Sequence, residues 1–89
     1  MLTLEECFEF CDLTKEEVFE IAEHEHLPEI VAAELGHTLL KTPRGVYVIR
    51  GYLLENLEKA ASNGDLKKAR YLDEVITRFI TAHPVPSVL

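Results

Sequence analysis

Thr42-Pro43-Arg44-Gly45-Val46-Tyr47-Val48-Ile49-Arg50-Gly51-Tyr52-Leu53-Leu54-Glu55-Asn56-Leu57 admits two readings, and the choice between them sets the fold class. Val46-Tyr47-Val48-Ile49 is β-prone, and Gly45 and Gly51 each weaken a helix by about 1 kcal/mol relative to Ala. On that reading residues 38–41 and 46–49 pair as a short hairpin that turns at 42–45. Against it, Thr42-Pro43 has the form of a helix start, a hydroxyl cap followed by a proline whose missing N–H costs nothing in the first turn. Val46, Ile49, Leu53, Leu57 and Ala60 then recur at helical spacing. The period continues well past any hairpin, so the segment reads as the longest helix of the chain, ending near Ser62.

The same signals recur on either side. Thr3 with Glu6, and Thr14 with Glu17, fit the capping box, in which a hydroxyl and a carboxylate satisfy free N–H groups reciprocally. The first predicts a helix with Leu4, Cys7, Phe8 and Cys11 as its buried stripe, ending near Asp12. The second predicts a helix over 15–26 with Val18, Ile21, Ala22 and Phe19 facing inward. Pro28 opens a third short helix through Leu35, for which Gly36 suits the C-terminal cap. Asn63-Gly64-Asp65 ends the long helix and caps the last one, which runs from Leu66 to about Ala82 ahead of Pro84. The expectation is an all-α fold: a single helical domain over 1–83 of about five helices, three short ones followed by a long antiparallel hairpin, with 84–89 as a flexible tail.

The chain has 89 residues, 47% of them hydrophobic and 28% charged, with a formal net charge of −7. A domain this short buries only about 60–65% of its unfolded surface, so its core is thin. No apolar run reaches the roughly 20 residues that span a bilayer, and the acidic start lacks a secretory pattern. Two cysteines four residues apart do not make a secreted disulfide framework, so a cytoplasmic location is expected. Residues 1–42 hold eleven acidic residues against Lys15 and Lys41, whereas 43–89 hold seven basic residues against five acidic ones. Such an acidic half repels phosphate backbones but can complement a basic surface on a partner or a second subunit.

On a helical wheel the apolar stripe of the 43–62 helix is widened by Leu54, Ala61 and Tyr47 on one side and by Tyr52 on the other. The last helix spreads Tyr71, Leu72, Val75, Ile76, Phe79 and Ile80 over about 180°. One antiparallel neighbour does not cover arcs this wide. Either the short N-terminal helices wrap them or a second subunit does, and two-fold dimers are the commonest closed assembly. Tyr47, Leu54, Tyr71 and Val75 are the expected contact residues of a homodimer.

Glu23-x-x-His26 and Glu34-x-x-His37 place a carboxylate and an imidazole on one helix face, the pattern of di-iron bundles, and make a metal the one cofactor worth weighing. Glu is abundant here, and Glu55 and Glu58, the carboxylates available to complete such a site, lie on the polar side of their helix. A His near a helix C-terminus is also favoured by the helix dipole alone. Cys7 and Cys11 with His24 or His26 form a poor zinc set, because their spacing is C-x₃-C within an apolar stripe. His24 and His26 stand among glutamates, which favour protonated imidazole. The first two helices have the outline of a helix-turn-helix, yet 15–26 offers Lys15 and five glutamates where a recognition helix needs base-reading and phosphate-binding side chains. Arg44, Arg50, Lys67, Lys68, Arg70 and Arg78 suit solvated faces as well as a patch. No glycine-rich phosphate loop and no nucleophile elbow is present. The functional expectation is a non-enzymatic protein–protein interaction or regulatory module, with a metal-binding helical protein as the second class and a nucleic-acid-binding one as the third.

Overall fold

The computed structural model describes residues 12–84. Their regular structure is entirely helical: α1 Lys15–Glu25, α2 Glu29–Leu39, α3 Pro43–Ser62 and α4 Leu66–Ala82. The helix expected from Thr3, with Cys7 and Cys11, lies outside the described residues, as does the tail after Pro84. No strand forms among the described residues, so 46–49 belong to α3 and the hairpin alternative is excluded.

Local chemistry sets the starts. At α1 the Glu17 amide donates to Thr14 Oγ1 at 3.2 Å and the Thr14 amide donates to Glu17 Oε1 at 2.8 Å, completing the capping box. At α3 the Gly45 amide donates to Thr42 Oγ1 at 3.0 Å with Pro43 in the first turn, and at α4 the Lys68 amide donates to Asp65 Oδ1 at 3.0 Å. α1 stops at His26, whose left-handed backbone (φ 55°) lets its amide and that of Leu27 reach back to Ala22.

Two expectations change. Gly36 does not cap α2; the helix runs through it to Leu39. Its bare Cα instead receives Leu13 and Ile21, and a Cβ there would collide with Leu13 Cδ1. Gly45 has a similar role at the junction of α2 and α3, where a Cβ would overlap the Leu39 carbonyl. Phe19, expected inward, is 40% exposed, while Glu17 and Glu20 take inward positions on α1.

The core joins Leu13, Val18, Ile21, Ala32, Ala33, Ile49, Leu53, Ile76 and Phe79 from every described helix. Fully burying a side chain the size of Leu or Phe contributes about 1.5–3 kcal/mol, so Ile21, Ile49, Leu53, Leu72 and Phe79 carry much of the stability. α3 packs most extensively on α4 and also touches α1 and α2, so the short helices do cover part of its wide apolar arc.

Candidate functional site

Three places gather side chains with something to do. The first is a polar seam where α1, α3 and α4 meet. Glu20 is 3% exposed, and its charge is met from two sides. Asn56 Nδ2 donates to the Glu20 carbonyl oxygen at 3.0 Å and to Glu20 Oε1 at 3.1 Å. Lys68 Nζ donates to Glu20 Oε2 at 3.1 Å and to Glu23 Oε1 at 3.3 Å. Burial pulls the Lys68 ammonium down, but the hydrogen bonds and charges of Glu20 and Glu23 outweigh it and hold its pKa above the ordinary lysine value. A cleft of about 290 Å³ opens beside the seam, bounded by Glu23, Asn56, Lys59, Asp65 and Lys68. Lys68, Glu20, Glu23 and Asn56 are bound to one another there, and the seam ties the three helices together.

The second place is the end of α1. The His24 ring stacks on Tyr52 at a centroid distance of 4.4 Å, with Nδ1 2.9 Å from Glu25 Oε2 and Nε2 3.4 Å from Glu55 Oε1. The Tyr52 hydroxyl donates to Glu25 Oε1 at 3.2 Å; burial, then this bond to a carboxylate, raises its pKa. His24 thus meets carboxylates as its neighbours in sequence suggest, but through Glu55 of another helix as well.

The expected metal set is not assembled. Glu23 is committed to Lys68, His26 caps α1, and Glu34 and His37 are exposed on α2. Among the described residues no group of three or more His, Cys, Asp or Glu is arranged to hold a metal ion. The Glu-x-x-His pattern fails because neither pair faces the core: the inward positions of the two helices are taken by Ile21, Ala22, Ala33 and Gly36. Cys7 and Cys11 lie outside the described residues.

The third place is the outer surface of α3. Tyr47 and Leu54 are 39% and 44% exposed, and Val48, on the other flank of the same outward arc, is 36% exposed. Of the other two expected contact residues, Tyr71 is half-buried and Val75 is only 4% exposed. Val75 is therefore corrected from contact to core residue: the α4 arc folds inward against α3 and closes over it.

Sequence reasoning missed Glu20, Asn56 and Lys68 as a unit, since they lie 36 and 48 positions apart. The only available sign was that Glu20 and Asn56 fall next to apolar positions on their own helices. It also missed His83, which packs on Phe79 at 4.8 Å with a buried Nε2 that has no hydrogen-bond partner among the described residues.

No helix among the described residues is long and apolar enough to cross a membrane. No protein-family model, no curated protein and no solved structure matches the chain.

Proposed function

We propose that the chain is a non-enzymatic cytoplasmic interaction module that works as a homodimer, with the helix expected from Thr3 as a fifth element of its fold. The observation that carries this reading is the cluster of Tyr47, Val48 and Leu54 on one exposed face of α3. Single exposed apolar residues are ordinary on any surface, but Tyr47 and Leu54, two turns apart on one flank of the outward arc of α3, and Val48 on its other flank are apolar surface that a partner seated on that arc would keep from water. The polar seam and the end of α1 are largely paired within the chain, whereas Tyr47, Val48 and Leu54 keep apolar surface in contact with water.

The test is native mass spectrometry of the untagged chain, together with its Leu54→Glu variant. The expected result is a metal-free dimer for the parent chain and a monomer for the variant, with the far-ultraviolet circular dichroism of both alike. A dimer that survives the substitution would move the contact away from Leu54, and bound metal at one equivalent would favour an ion-binding role instead.

A further inference from the structure

The outward face of α3 has a symmetry of its own. At about 100° per residue, the buried positions Gly45, Val46, Ile49, Leu53, Asn56 and Ala60 occupy one arc, and the opposite arc is centred on Gly51. Tyr47 and Leu54 flank Gly51 on one side, Val48 and Glu55 on the other. Arg44 stands seven residues before it and Glu58 seven after, each about 10 Å along the axis. Both are exposed, and neither has an ion pair or hydrogen bond among the described residues.

Gly51 itself is unexplained by the described residues of the single chain. A glycine inside a helix costs stability relative to alanine. At Gly45 and Gly36 a close neighbour accounts for that cost, but a Cβ built on Gly51 meets nothing within 4 Å among the described residues. Helix interiors keep glycine where another backbone comes close.

Resting on the dimer reading above, we propose that two copies pair through α3 in antiparallel fashion about a two-fold axis at Gly51. A two-fold contact requires one patch to be complementary to itself, residue i meeting j while j meets i. An axis at Gly51 satisfies this. Arg44 of one copy faces Glu58 of the other at both ends, Tyr47 of one meets Leu54 of the other on their shared flank, and the paired glycines allow the two helices to approach at the short end of the usual interaxial range, about 8 Å. The self-complementary charge is what selects a second copy over an unrelated protein, because a foreign partner would need no such symmetry.

Sedimentation equilibrium of the full chain tests this with four variants. Arg44→Glu and Glu58→Arg should each weaken the dimer by roughly tenfold, since each places like charges together at both ends. The double variant R44E/E58R should recover the parent affinity to within about threefold. Gly51→Ala should weaken association while raising the unfolding temperature of the dilute monomer, a pair of opposite effects that a purely structural glycine would not produce. Unchanged affinity in the single charge variants, or a double variant no tighter than either single one, would overturn the antiparallel pairing and leave a dimer through another face. A parent chain that stays monomeric would overturn the dimer reading and this geometry together.

Discussion

Gly45 and Gly51 lie six residues apart in the same helix, and the structure gives them opposite meanings. At Gly45 the obstacle to a side chain is the Leu39 main chain, which cannot swing aside. Gly45→Ala should therefore cost about 2 kcal/mol net, the strain of overpacking exceeding the gain in helix propensity. Urea unfolding followed by circular dichroism should show a lowered midpoint, and a neutral result would mean that α2 and α3 do not meet as closely as described. Glu17 is a second case in which the residue's own environment decides. Burial raises its pKa above the ordinary 4.5, while the Thr14 amide, the charge of His83 and the Thr14 hydroxyl pull the other way. A carboxyl whose folded pKa is raised is best tolerated when protonated, so its contribution is fully present below the unfolded value and is lost as pH rises through the folded one. Glu17→Gln keeps an acceptor for the Thr14 amide and removes the ionisable group. The variant should be at least as stable as the parent at pH 7, and its advantage should shrink as pH falls through about 4.5. An advantage that grew in acid would reverse the sign of this argument.

Among the elements, the polar seam ties α1 to α3 and α4 more specifically than the apolar contacts do. Lys68→Met would leave the Glu20 carboxylate buried with Asn56 as its only partner among the described residues, at a cost of about 1–3 kcal/mol. Because the Lys68 pKa is raised, its contribution holds from neutral pH past the ordinary lysine value of 10.5 and fades only above that. Adding Glu20→Gln to Lys68→Met should recover part of the loss, since a neutral amide costs less to bury than an unpaired charge. A double variant no more stable than Lys68→Met alone would show that the carboxylate is not what the lysine serves. The helices themselves were far more legible than this seam. Thr14, Thr42 and Asp65 announce their helices locally, and the 3.6-residue period of Val46, Ile49, Leu53 and Ala60 carries α3 through a β-prone stretch. Gly36 misled because a glycine after an apolar run reads as a stop, whereas here it receives Leu13, a contact set by packing and not by local preference. Glu20, Asn56 and Lys68 left no local signature, since each is an unremarkable polar residue until tertiary structure brings them together. Val75 reads as surplus on the α4 wheel because its cover comes from another helix.

At the scale of the whole molecule, the extents of 39 × 33 × 18 Å describe a thin slab. Packed helix axes lie about 8–10 Å apart, so the short dimension holds about two helix layers. Every helix then keeps an outer face, and the single core layer is small for the chain's entropy cost. Covering the α3 face with a second copy would thicken the slab and remove Tyr47, Val48 and Leu54 from water, which links association to folding. Linkage of this kind has a signature that does not depend on which residues touch: a state stabilised by binding its own copy gains stability with concentration. Raising the protein from about 1 to 100 μM should lift the unfolding temperature by about 5 °C, given the steep dependence of Tm on stability in a domain of this size. Leu54→Glu should abolish that dependence and, because Leu54 is among the exposed large apolar residues and outside the buried core, leave the low-concentration Tm near the parent value. Calorimetry at three concentrations distinguishes the cases. A parent Tm that does not move across the range would mean that the thin core suffices alone and that the exposed face of α3 serves no partner of its own kind.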